Sequence, residues 1–249
     1  MALTLELFAA WENGSLEWSD GEAPDLDIEP GRLERPTIIP AADVPKRGFG
    51  SETRRAALIH ALTHIELTAV NLAWDTVYRY RGLPQEYYHD WIQTAADETR
   101  HFLDLRERLR AMGFDYGDFP AHNSLWQHAV DTAGDLMDRM AIVHRVMEAR
   151  ALDVVPRTLE RFRAIGDPET ASVLTDVAND ETAHVGAGTR WFRYRCQEEG
   201  VDPDQKFFEL VMQYVGHYPR GPFNHQARRQ AGFSENEMHL LEAGIEMVK

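Results

Sequence analysis

The chain has 249 residues, 43% of them apolar, and a formal charge of −15. That length suffices for one domain with its own core, and so acidic a chain repels polyanions, which disfavours non-specific nucleic-acid binding. A single cysteine, Cys196, excludes an intrachain disulfide and a thiolate metal site.

The opening MALTLELFAAWENGSLEW lacks the basic start and long apolar stretch of an export signal. No run nears the roughly 18 apolar residues of a membrane span, so a soluble cytoplasmic protein with no membrane contact is expected. A short helix near Leu3–Trp11 precedes an extended arm broken by Pro24, Pro30, Pro36, Pro40 and Pro45. Ile38 and Ile39 lay this arm, residues 1–50, on the core. From Ser51 the period changes. Ile59, Leu62, Ala69, Val70, Ala73 and Val77 recur at helical spacing, between a Ser51 N-cap and Gly82. A second helix runs from near Pro84 to the sequence AMGFDYG. A third runs from about Ser124 to Ile165, with a kink expected at Pro156. A fourth opens at Asp167-Pro168-Glu169 and ends at Gly200. Asp202-Pro203 starts a fifth, to about Val215, and Ser234-Glu-Asn-Glu237 is a capping box for a last short helix. Long helices with short connections predict an all-α fold. The expected architecture is an antiparallel four-helix bundle with the fifth helix over residues 51–216 and a C-terminal segment over 217–249.

Two stretches carry the chemistry: AADETRHF (95–102) and ANDETAHV (178–185). Residues i and i+3 share a helix face, so Glu98 points with His101 and Glu181 with His184. A lone Glu-x-x-His arises by chance about once in a chain of this size, and Glu86-Tyr-Tyr-His89 is read as such an accident. Two copies, each with a preceding Asp and a following Thr, are not so easily dismissed. A dinuclear centre in a four-helix bundle takes Glu-x-x-His from two helices and one Glu from each of the others. Glu66 lies on the apolar stripe of the first helix; Glu148 lies with Ala141, His144, Ala151 and Leu152 on the third. The spacings repeat, 98 − 66 = 32 and 181 − 148 = 33, so each half is a helical hairpin. Four carboxylates balance two divalent ions, which makes burial of the cluster tolerable. The competing reading is a set of ordinary solvated acids, which the apolar stripe disfavours.

The Asp97-Glu98-Thr99-Arg100-His101 stretch, and its counterpart Asp180-Glu181-Thr182-Ala183-His184 without the arginine, resemble the ferritin-like diiron-carboxylate superfamily. HIELTAVNLAWD, DWIQTAADETRHF, YGDFPAHNSLW, NDETAHVGAGTRWFRY and RGPFNHQARRQAGFSE are similar to a bacterial ferritin-like family of unknown function. The wider kinship takes in rubrerythrins and a tRNA-modifying hydroxylase. The resemblance implies a ferritin-like bundle in which Glu98 and Glu181 bridge two metals and Glu66 and Glu148 are terminal ligands. It also implies that His101 and His184 bind one metal each, and that Asp97 and Asp180 accept the other ring N–H of a histidine on the partner hairpin.

Oxygen and imidazole donors suit two iron ions, with manganese or a mixed pair as alternatives. The expected function is oxidation or hydroxylation of an unidentified small molecule using O2 or peroxide and an external electron donor. The alternatives are iron handling as a ferroxidase or store, and metal binding without turnover. Net charge argues against nucleic acid, although a tRNA substrate stays open, and a homodimer is allowed. His144 is read as a packed core histidine or a seventh ligand, and His64 as facing away. His122 and Trp126 are read as loop contacts or a lid, and Tyr78 and Tyr80 as packing or redox groups. The Arg220–Arg229 segment is read as a cap, an anion site or a solvated tail.

Overall fold

A computed structural model of the chain describes residues 1–16, 21, 33–217 and 219–246. Pro24 and Pro30 of the expected arm lie outside the described residues. Among those described the protein is all-helical without strands, and it divides into two compact units, residues 1–127 and 128–249.

The first unit holds α1 (Ala2–Glu12), α2 (Glu52–Arg79) and α3 (Gln85–Ala111). Ser51 caps α2 as expected: its hydroxyl accepts the Arg54 N–H at 3.3 Å. Gly82, at φ +71°, takes the left-handed turn that folds α3 back onto α2. Ile59, Leu72, Trp91 and Leu105 are buried in this hairpin. Helix α1 lies along it, the Trp11 indole N–H donating to His89 at 3.0 Å and the Trp74 indole N–H to Thr4 at 3.3 Å. The described end of the arm is tied down too. Ile39 N–H donates to the Ala121 carbonyl and Ala121 N–H to that of Thr37. Contrary to the expectation that no segment approaches span length, α2 is, by length and composition alone, long and apolar enough to cross a membrane. The most apolar part of α2 is 56% buried inside the protein. Glu66 and the buried Asp75–Arg79 ion pair interrupt the helix's apolar surface.

Helix α4 (Ser124–Asp131) leads to the second unit. The single third helix expected from Ser124 to Ile165 is instead broken. Thr132–Asp135 forms a turn, and Asp135 caps α5 (Leu136–Arg139) by accepting the N–H groups of Met137 and Asp138. A π-helical stretch, Met140–Met147, follows, and then α6 (Ala149–Ala164). In the π stretch the Glu148 N–H reaches back five residues to the Val143 carbonyl, at 3.2 Å. Pro156 sits inside α6 without ending it. A proline frees the carbonyl four residues earlier, here that of Leu152, and the Asn224 side-chain amide donates to it at 3.2 Å.

Helix α7 (Pro168–Glu199) is capped by Asp167, which accepts the Thr170 N–H, and stops at left-handed Gly200. It packs along α6 and the π stretch. Helices α8 (Pro203–Tyr214), α9 (His225–Gln230) and α10 (Glu235–Glu246) complete the unit. The capping box forms in both directions: Glu237 N–H donates to Ser234 Oγ at 2.9 Å, and Ser234 N–H to Glu237 Oε2 at 2.8 Å. The Arg220–Arg229 segment is docked rather than solvated at Arg228, which is buried and pairs with Asp153 at 2.7 Å. Arg145, fully buried, pairs with Glu237 at 2.7 Å. The Phe233 ring lies under both guanidinium groups, 4.6 Å from that of Arg145 and 5.0 Å from that of Arg228.

Candidate metal centre

Within the α2–α3 hairpin, Glu66, Glu98 and His101 come together as the spacing predicts. Their ligand atoms lie within 4.8 Å of one another, and all three residues are buried. His101 Nδ1 is 3.3 Å from Glu98 Oε2 and 3.4 Å from Glu66 Oε2. Burial alone would depress the His101 imidazole, but hydrogen bonds and charge from Glu66 and Glu98 outweigh it, raising the group to about 11. Two carboxylates and one imidazolium leave this cluster one negative charge in excess. A divalent cation that displaces the proton would neutralise it.

In the second unit, α7 carries Glu181 and His184 one turn apart, both buried. The π stretch ends at Glu148, whose Oε1 lies 2.9 Å from His144 Nδ1. Its other oxygen, Oε2, is buried without a hydrogen-bond partner. A buried carboxylate oxygen left open in this way is costly unless a cation meets it, and it fits a metal ligand. His144 is fully buried and engaged by Glu148.

Asp97 is half-buried and accepts from Gln93 and from Arg100 (2.8 Å) on its own helix. Asp180 is half-buried as well. Glu86 is exposed, and its partner in the third Glu-x-x-His, His89, is held at the surface by Trp11. His64 turns away from the cluster to bond Tyr116 Oη at 2.8 Å. Tyr78 is exposed beneath the Arg81 guanidinium. One position went unrecognised in the sequence: Gly188. A Cβ there would meet the His144 Cβ and carbonyl oxygen at 2.8 Å, so only glycine lets α7 pass the π stretch so closely. The signal was the small-residue run Gly186-Ala-Gly188 directly after His184.

These donors, buried carboxylates with imidazole, could hold a metal ion. Comparison with known proteins adds kinship without an activity. A Haemophilus influenzae protein described as uncharacterized is 38% identical over 215 residues, covering 84% of this chain and 75% of the relative. No solved structure matches. Residues 1–239 match the profile of a family described as a protein of unknown function, DUF455. The chain belongs to that family.

Proposed function

We propose that the two helical hairpins pack as a ferritin-like four-helix bundle and share one pair of metal ions. The ligands are Glu66, Glu98 and His101 from one hairpin and Glu148, Glu181 and His184 from the other. The observation that carries this reading is the buried Glu66–Glu98–His101 cluster, with Glu181 and His184 buried and Glu148 half-buried at the corresponding positions of the second half. The donor set suits iron, manganese or a mixed pair. When bound, iron supplies the electron-transfer chemistry by which O2 or peroxide oxidises or hydroxylates a small organic substrate, with an external donor restoring the electrons.

The chain's own part is placement and exclusion of water. Glu98 and Glu181, each one helical turn from a histidine, would hold the metal together with Glu66 and Glu148. His101 presents Nδ1 to the carboxylates. Asp97 and Asp180 would fix the ring tautomer on the opposing hairpin by accepting the remaining N–H. Ala69, Ala95 and Ala141, on the helix faces that carry the ligands, are buried. Cys196 takes no part: it is buried, and burial pushes its thiol up to about 11.

Metal analysis of protein purified from its native host tests the reading. About two irons per chain, with an O2-dependent change in near-ultraviolet absorption, are expected of a dinuclear enzyme. Hundreds of irons per particle would mark a store. Glu98→Ala and Glu181→Ala should each lose the metal pair while Glu86→Ala keeps it, and equal metal content in all three removes the assignment.

A further inference from the structure

The second unit has an open groove of about 880 Å³ along α7, closed on one side by the end of α9. At 100° per residue, its α7 lining, from Asn179 to Gln197, lies opposite the face that carries Glu181 and His184. Its floor is built from small residues. A Cβ on Gly186 would come to 4.0 Å from the Ala231 Cα, and one on Gly232 to 3.0 Å from Thr189 Cγ2. None of the twelve residues lining the groove is acidic, although the chain as a whole carries −15. Two are arginines, Arg190 and Arg193, three residues apart and so on one helix face.

Glu237 gives Oε1 to Arg145 at 2.7 Å, and its Oε2 accepts the Ser234 N–H and lies 3.8 Å from Arg193. One carboxylate thus faces two guanidinium groups. The outer one, Arg193, has a side chain that is 42% exposed. Tyr194 and Gln197 add hydrogen-bonding groups along the same wall.

The geometry points to an oxyanion site here, in which Arg190 and Arg193 clamp the phosphate of a phosphate-bearing small molecule. Guanidinium groups suit this role because their forked donors match phosphate oxygens two at a time. The groove's volume lies in the range of small-ligand sites. Two arginines on so acidic a chain are too few for a nucleic-acid track. This site does not depend on the metal reading, since it uses the other face of α7.

Titration calorimetry of the full chain at about 50 mM salt, with pyrophosphate, inorganic phosphate, adenosine monophosphate and adenosine as probes, tests it. Saturable one-to-one binding is expected for phosphate-bearing probes and none for adenosine. Arg190→Ala and Arg193→Ala should each weaken it about tenfold or more, the scale of a lost charge-assisted hydrogen bond. Arg220→Ala, an exposed arginine outside the groove, should leave it unchanged. Tighter binding of the monophosphate than of inorganic phosphate assigns the site to an organic phosphate; the reverse order assigns it to the free oxyanion. If Arg193→Ala disturbs folding through Glu237, Arg190→Ala decides alone. No saturable binding, or an equal loss in Arg220→Ala, overturns the site.

Discussion

His101 sits where an imidazole would ordinarily be neutral, since burial disfavours its charge. Glu66 and Glu98 reverse that balance, and the group stays protonated up to about pH 11 in the metal-free protein. A nitrogen that ligates a metal has no proton on it. Loading should therefore eject about one proton from this residue near neutral pH, and apparent affinity should rise about tenfold per pH unit. Calorimetric titrations in buffers of different ionisation heat measure this directly; binding heats independent of the buffer would count against it. The stability linkage has the matching sign. The folded-state value lies above the unfolded value of about 6.5, so the stabilisation from this ion cluster is complete below that pH and is lost as pH climbs towards about 11. At this scale the sequence was readable for Glu98 and His101, because a three-residue spacing fixes a shared helix face. For Glu148 the face shared with His144 was readable, but not which of its two oxygens would stay open. The open Oε2 depends on His144 occupying Oε1, and no spacing rule says which of two neighbours a carboxylate will choose.

Helix α6 shows how an element can depend on residues far along the chain. Pro156 removes one helix hydrogen bond, and the Asn224 side chain, from the loop before α9, supplies the missing donor to Leu152. The same loop places its backbone N–H on Asp153 at 2.7 Å. Pro156 was expected to kink its helix; the helix runs on through it, with Asn224 supplying the donor that the proline cannot. The real discontinuities lie earlier. The Thr132–Asp135 turn had visible markers in Gly134 and the N-capping Asp135. The π stretch had none, since the close approach of Gly188 that accompanies it comes from a different helix. The repair predicts a coupling that thermal or denaturant unfolding can measure. Asn224→Ala should destabilise the protein by about 1–3 kcal/mol, the cost of a buried carbonyl left unpaired. In a Pro156→Ala background the restored N–H satisfies Leu152, and the same substitution should cost clearly less. Purely additive effects would mean that Asn224 acts only through its cap on α9.

For the whole molecule, the legible part was the repeat. Glu66 with Glu98 and Glu148 with Glu181 recur at nearly equal separations, and each pair lies on long helices in its own compact unit. The capped ends followed from local signals such as Ser51, Asp167 and the Ser234–Glu237 box, whereas the helix count did not, because the helix expected from Ser124 to Ile165 is broken into α4, α5, the π stretch and α6. The C-terminal segment was harder to read, because its docking rests on the long-range pairs Arg145–Glu237 and Arg228–Asp153. Arginines destined for burial look like surface arginines in a sequence. If the two halves share one pair of ions, damage to either half is felt by both. Glu66→Ala removes a ligand from the first unit and Glu148→Ala one from the second. Two independent half-sites would give additive losses, the double variant losing what each single variant loses. A shared centre predicts instead that either single substitution already removes most bound metal, so that the double variant loses little more. The metal-induced rise in unfolding temperature should follow the same pattern, because a ligand bound only by the folded state stabilises in proportion to its occupancy. Stoichiometries falling stepwise from two to one to none across the singles and the double would leave two separate sites, and the shared centre would have to be given up.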